Sequence, residues 1–299
     1  MRYEEYALEF LAIFCLGAHI AEPFLEVSSQ DAERIGLEAA GLAAVENEFG
    51  RAVLRVLITD RVTPGSVFAP MHWTDRFSSE GRVDSLVAPN VDPVSGQPES
   101  KHSVVSISPL SPDWFGFLVS LVEIPDKLLG KLDYWACART GRGWRYELAG
   151  HGQLPEWAEQ LCPDPLSMQV ISAAGQTARA SIQDNVLQTH LIASERGPVS
   201  ADRTWLAGLL GTRIDADIRL GLLAGRPPSG MSSGRLICSC LGVGSVAINE
   251  AIQSGCQSVD GIGAATGAGT NCGSCKPEIR ALLEKMRSED TPSHTMAAE

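Results

Sequence analysis

The stretch GRLICSCLGVGSVAINEAIQSGCQSVDGIGAATGAGTNCGSCKPEIRALLEKMR (234–287) fixes the organisation of this chain. It holds C-x-C at Cys238 and Cys240, then 31 intervening residues, then C-x-x-C at Cys272 and Cys275. Four thiolates so spaced can surround one metal centre. Two cysteines one residue apart both face inward only from a loop or bulge, and Gly242 and Gly244 supply the backbone freedom such a loop needs. After the second pair, Ile279, Leu282, Leu283 and Met286 fall at the i, i+3, i+4, i+7 spacing of an amphipathic helix, with Pro277 in its first turn. Backbone N–H groups at such a helix start favour an anionic centre. Between the pairs, 245–255 and 258–269 read as two short helices, each opened by a serine (Ser245, Ser258) and closed by glycine. The module over 235–288 therefore reads as a small all-helical knot, too small to be held by its core alone, so metal ligation contributes to its folding.

On spacing, an iron–sulfur centre comes first, because zinc ribbons pair two C-x₂₋₄-C knuckles rather than C-x-C with C-x-x-C. Structural zinc is the second reading and unligated cysteines the third. The chain has eight cysteines, too few for a disulfide scaffold. Cys15, Cys137, Cys162 and Cys256 are dispersed in apolar or mixed surroundings and read as small buried hydrophobes without a function.

At 299 residues there is length for about two domains. Hydrophobic residues at 44% and charged residues at 20% describe an ordinary globular protein. The formal net charge of −12 argues against nucleic acid or an anionic membrane as partner, since phosphate neutralisation needs clustered Lys and Arg. LEFLAIFCLGA (8–18) is well short of the roughly 20 residues that cross a bilayer as a helix. Arg2 is followed by Glu4, Glu5 and Glu9 rather than by the positive start of a secretory signal, so a cytoplasmic location is expected. The six histidines are scattered, and no residue is assigned a catalytic role.

Residues 22–35 read as strand, turn and helix, with Ser29 as N-cap and Gly36 closing. Strands are expected over 51–58, 66–73 and 102–110, and the Pro-, Gly- and Ser-rich 90–101 is a functional loop between them. The region 111–223 reads as mixed α/β: helical over WFGFLVSLVEIPDKLL (114–129), strands at YWACAR and GWRYELAG, a helix at RTWLAGLLG. AGRPPSGMSSG (224–234) is a linker, and 289–299 a disordered tail.

The segments LICSCLGVG and GAGTNCGSCKPEI closely resemble the bacterioferritin-associated ferredoxin-like (BFD-like) [2Fe-2S] domain found at the C-terminus of several assimilatory reductases. The resemblance implies that Cys238, Cys240, Cys272 and Cys275 bind the cluster. AHIAEPFLEV (18–27), TDRVTPGSVFAPMHWTDRFSSEGRVDSLVAPNVDPVSGQPESKHSVV (59–105), WFGFLVS and YWACARTGRGWRYELAG resemble the end of the bacterial assimilatory nitrate reductase catalytic subunit, and the likeness runs over about 18–287. It implies that 18–110 is a molybdopterin dinucleotide-binding domain, a six-stranded, double-psi-like β-barrel covering the dinucleotide ends of a molybdopterin guanine dinucleotide. It also implies that His72, Trp73, Asn90, Gln97 and Lys101 lie nearest that cofactor in a partial site. The chemistry agrees in kind, because Asn and Gln offer paired donors and acceptors to a pterin or guanine edge and Lys suits a pyrophosphate.

Members of that family begin with an iron–sulfur motif and long molybdenum-binding domains that have no counterpart here, and residues 1–17 diverge from it. The expectation is a C-terminal fragment, a split subunit or the product of a truncated or shifted reading frame, incomplete for nitrate reduction by itself. Its role would be to carry electrons through the cluster toward the pterin in nitrate assimilation. Its partners would be the remaining reductase domains or subunit and an electron-donor protein or reductase subunit. Two other classes stand beside this reading: a free-standing [2Fe-2S] electron-transfer protein, and a zinc-stabilised interaction module. Metal analysis separates them.

Overall fold

The computed structural model describes residues 22–71, 73–98, 103–154, 168–171, 176–228, 234–238, 243–270, 273 and 275–289. They fall into two compact units, one within Ile20–Arg226 and one within Pro227–Glu299.

The first unit opens with β1 (Phe24–Val27), α1 (Ser29–Ile35), β2 (Leu42–Glu46), β3 (Arg51–Ile58), β4 (Val67–Phe68) and β5 (Ser106–Leu110). These strands make a sheet of order β4-β1-β3-β2-β5, in which β1 and β3 run parallel and the other pairs antiparallel. RAVLRVLI is the central strand because both its faces are apolar or paired. Ala52, Leu54 and Val56 pack with Leu25, Val27, Ala43 and Val45, while Val53 joins a second core together with Phe115 and Tyr134. The cap of α1 is Ser28 rather than the expected Ser29. The Ser28 hydroxyl accepts from the Asp31 N–H (3.1 Å) and donates to the Asp31 carboxylate (2.9 Å), a reciprocal bond that only a carboxylate three residues on can close. Arg34 and the Gly65 N–H also bond Asp31, and with Arg34 foremost they hold its carboxyl down at about 2.

The expected strand over 66–73 shrinks to Val67–Phe68, since Pro70 has no N–H for the ladder. That over 102–110 occupies 106–110, with His102 outside the described residues.

A six-stranded antiparallel sheet follows, built from β6 (Trp114–Ser120), β7 (Tyr134–Arg139), β8 (Trp144–Gly150), β9 (Met168–Ile171), β10 (Gln176–Gln183) and β11 (Val186–Ser194) in the order β7-β8-β6-β11-β10-β9. The helical reading of 114–129 is corrected here: its first half is the strand β6, and only α2 (Asp126–Leu129) is helical. The seven residues of β6 are all buried, because alternate side chains enter different cores. Phe115, Phe117 and Val119 face one core, while Trp114 and Leu118 face another with Trp144, Tyr146 and Leu148. Such a run looks uniformly apolar in sequence and carries no period of 2. Gly150 serves this packing, since a Cβ there would stand 2.8 Å from the Trp114 ring. Two helices, α3 (Arg203–Leu209) and α4 (Ala216–Ala224), finish the unit, with Leu206 and Leu222 buried in the shared core. Among the described residues neither sheet closes on itself.

A buried charge network joins the two sheets. Glu22 Oε2 accepts from Arg55 Nε and from the Tyr134 hydroxyl, each at 2.9 Å. Arg203 grips Glu147 with two bonds, of 2.6 and 3.0 Å. Arg145 and Arg55 approach the same carboxylate to 3.7 and 4.0 Å. The guanidinium of Arg55 lies over the Phe115 and Tyr134 rings, and those of Arg145 and Arg203 over Phe117. Burial raises the Glu22 carboxyl, against the pull of Arg55. Paired and ring-stacked arginines are the form in which buried charge is tolerated.

The second unit departs from the expected all-helical knot by a two-stranded antiparallel ribbon, β12 (Leu236–Cys238) with β13 (Val243–Gly244). Three helices follow: α5 (Ser245–Gln253), α6 (Val259–Thr266) and α7 (Lys276–Glu289). Ser258 caps α6 as expected, accepting from the Gly261 N–H at 3.0 Å. The Ser245 hydroxyl is instead spent on the ribbon, accepting from the Arg235 N–H at 3.0 Å while its own N–H bonds the Arg235 carbonyl at 2.7 Å. Ile237, Ile248, Ile262, Ile279 and Leu283 form the small core, and Cys238 and Cys275 belong to it. The tail expected over 289–299 lies outside the described residues from Asp290 on, as does all of 1–17.

Candidate functional site

Of the four motif cysteines, Cys238 and Cys275 are described, and they meet. Cys238 ends β12 and Cys275 stands in the turn that opens α7; they are 2% and 6% exposed. Each thiol is within hydrogen-bond reach of the other, so the fold brings the first and last members of the motif together from opposite ends of the module. An ion pair between Arg235, three residues before Cys238, and Glu278, in the first turn of α7, holds the ribbon against that helix.

The Gly269 N–H and the N–H of Cys275 itself both point at the Cys275 sulfur and lower its pKa, while burial and the Cys238 thiol raise it above the ordinary range and prevail. Gly269 and Gly273 sit at φ of +81° and +76°, the left-handed region that glycine adopts without a steric cost. Paired cysteine sulfurs with backbone N–H groups beside them are the donors a cysteine-ligated iron–sulfur centre takes, and Cys238 and Cys275 fit one. Cys240 and Cys272 lie outside the described residues, and among those that are described no group of three or more His, Cys, Asp or Glu converges on a metal position.

The expected pterin-facing residues are less gathered. Asn90 and Gln97 flank the base of one turn, which is closed by the Val91–Pro98 bridge and by the Asp92 N–H bonding the Gln97 carbonyl at 2.9 Å. Asp92 stiffens the turn by accepting from the N–H groups of Val94 and Ser95 and from the Ser95 hydroxyl at 2.7–3.0 Å, and these bonds lower its pKa, Ser95 foremost. Both amide side chains are exposed and make no hydrogen bond to the described residues, so their donors and acceptors are open to a ligand. Trp73 is half-buried in a separate segment that no hydrogen bond joins to this turn among the described residues, while His72 and Lys101 lie outside them.

Two features were not legible beforehand. A cavity of about 330 Å³ opens between Leu42 and Val53 on one side and Leu132 and Ala149 on the other, with Arg51, Glu80, Asp133 and His151 at its wall. Its lining includes none of the expected pterin residues. The other is the position of Lys276, whose stem lies over Gly269 and Gly273. Among the dispersed cysteines, Cys137 is buried and Cys256 half-buried; Cys15 and Cys162 lie outside the described residues. Among the described residues no helix is long and apolar enough to cross a membrane.

Comparison with known proteins finds two family matches and several relatives. Residues 10–104 match the family "Molydopterin dinucleotide binding domain", and residues 236–285 the family "BFD-like [2Fe-2S] binding domain". Nitrate reductase of Klebsiella oxytoca is 38% identical over 269 residues, which are 89% of this chain and 30% of that protein. Formate dehydrogenase H of Escherichia coli is 28% identical over 97 residues, 32% of this chain and 13% of that protein. The NAD(P)H nitrite reductase of Bacillus subtilis is 46% identical over 61 residues, 20% of this chain and 8% of that protein. The chain spans less than a third of the length of these curated relatives.

Proposed function

We propose that this chain, which joins a molybdopterin dinucleotide-binding domain to a BFD-like [2Fe-2S] domain, is the cofactor-covering and electron-carrying portion of a molybdenum nitrate reductase. The observation that carries the reading is the convergence of Cys238 and Cys275 beneath inward-pointing backbone N–H groups, in a chain 38% identical over most of its length to a nitrate reductase.

In this reading Cys238, Cys240, Cys272 and Cys275 are ligands and not nucleophiles. When bound, the [2Fe-2S] cluster supplies one-electron transfer, and the molybdopterin cofactor the two-electron chemistry of nitrate. The chain's own residues bind and orient. The Gly269 N–H offsets negative charge at Cys275, the small core excludes water from the pair, and Asn90, Gln97, Trp73, His72 and Lys101 engage the dinucleotide end of the pterin. We adopt domain limits of 18–110 for pterin binding, 111–223 for the connecting region, 224–234 for the linker and 235–288 for the cluster. The parallel β1–β3 pair within an otherwise antiparallel sheet supports a double-psi-like barrel for the first of these. The partners are the molybdenum-binding domains, in this chain's own polypeptide or another, and a cytoplasmic electron donor serving nitrate assimilation.

The test is purification without oxygen, followed by iron, sulfide and zinc analysis and visible spectroscopy. Iron and inorganic sulfide at about two each per chain, with absorption that bleaches on reduction and is lost in Cys272→Ser, is the expected result. Zinc in their place overturns it. Pterin retained on reconstitution supports the N-terminal half of the reading, and a cluster without pterin reduces the chain to an electron carrier.

A further inference from the structure

Lys276 follows Cys275 directly and is the first residue of α7. Lys276 is exposed, and its stem lies against the module. A Cβ built on Gly269 would meet Lys276 Cγ at 3.2 Å and Cε at 3.6 Å, and one built on Gly273 would meet Cδ and Cε at 3.8 Å. The lysine stem is therefore laid against Gly269 and Gly273, and so against the residue whose N–H is directed at the Cys275 sulfur. No carboxylate among the described residues is within ion-pair distance of its ammonium group, whereas Arg235 nearby is neutralised by Glu278. Among the described residues the Lys276 cation, next to Cys275, is left without an ion-pair partner.

We propose that Lys276 is a positioning residue that sets the reduction potential of the centre held by Cys238, Cys240, Cys272 and Cys275. The proposal rests on the cluster reading given above. One electron entering that centre adds one negative charge to it, with no bond made or broken, so a fixed neighbouring cation stabilises the reduced form more than the oxidised one. Because Gly269 and Gly273 carry no side chains, the lysine stem rests directly on their backbone. An ordinary solvated lysine would leave the potential where it is.

The experiment is a spectroelectrochemical titration of the whole chain, purified without oxygen, as wild type, Lys276→Gln, Lys276→Arg and Lys285→Gln. Iron and sulfide content and the visible spectrum are read first. A wild type without a cluster overturns the cluster reading itself, and this proposal with it. With the cluster present in all four, Lys276→Gln is expected to weaken reduction by about three- to tenfold, which is about 28 to 59 mV downward at 59 mV per tenfold for one electron. Lys276→Arg keeps the wild-type value, Lys285→Gln further along α7 changes it little, and the Lys276→Gln difference narrows as salt is raised. Equal potentials for wild type and Lys276→Gln at equal cluster content overturn the proposal and leave the cluster reading intact. If Lys276→Gln loses its cluster, Lys276→Met, which keeps the apolar stem on the two glycines and removes the charge, provides the second measurement: an unchanged potential in it overturns the proposal.

Discussion

His190 shows how much a single buried side chain settles. It is fully buried in β11, its Nε2 lies 2.8 Å from the Leu222 carbonyl, and its Nδ1 has no partner among the described residues. Burial therefore holds it neutral, with the pKa lowered from 6.5 to about 4. A base with a folded pKa below its unfolded one contributes stability that is complete above about 6.5 and is lost as the pH falls toward 4; over that window the loss approaches ~3 kcal/mol. Glu22, whose carboxyl is raised by burial, slopes the other way from about 4.5 upward, so the two are separated by variant and not by the raw curve. Urea midpoints of wild type should fall between pH 7 and pH 4.5 by more than those of His190→Gln. Parallel curves would remove His190 as the source. Nothing in the sequence around THLIAS marks this histidine, because its only polar partner is a backbone carbonyl supplied by α4, far along the chain.

The elements differ in how openly the sequence announces them. RAVLRVLI, YWACAR and GWRYELAG were legible because aliphatic and aromatic runs end at turn formers, and they are β3, β7 and β8. The apolar run at 114–120 was not, since a strand buried on both faces and a buried helix look alike until tertiary partners choose between them. The contacts that lock the elements together were invisible altogether: Glu22, Arg55, Glu147 and Arg203 are scattered through the chain and meet only after both sheets pack. The clamp of α3 on β8 is a case in point. The Glu147 side chain is 3% exposed, and removing Arg203 leaves it with only the longer approaches of Arg145 and Arg55. Arg203→Ala is therefore expected to destabilise the first unit by about 3 kcal/mol in chemical denaturation, and Arg203→Lys, which keeps the charge without the fork, by about half of that. Gly150→Ala should cost roughly 1–3 kcal/mol by forcing a methyl against the Trp114 ring.

At the scale of the whole molecule, the two units are stabilised by different means. The first has extended apolar cores on either side of its six-stranded sheet, whereas the second has a handful of isoleucines and leucines around two cysteines. A core that small leaves metal ligation to supply much of the folding free energy. The division at Arg226/Pro227 falls in the Pro- and Gly-rich stretch 224–234, and the four clustered cysteines all lie beyond it. The ribbon that carries Cys238 was not readable, because two- and three-residue strands have no period to detect. The consequence is testable in one sample, since all six tryptophans precede Pro227 while α5, α6 and α7 all fall after it. Tryptophan emission then reports the first unit alone, and far-ultraviolet helical signal weights the second. Cys272→Ser, or removal of iron by a chelator under reducing conditions, should abolish visible absorption and lower the helical signal, and should leave the tryptophan unfolding midpoint within about 0.5 kcal/mol of wild type. A tryptophan midpoint that falls together with the cluster would mean that the first unit draws its stability from the second, and would contradict the separate stabilisation argued here.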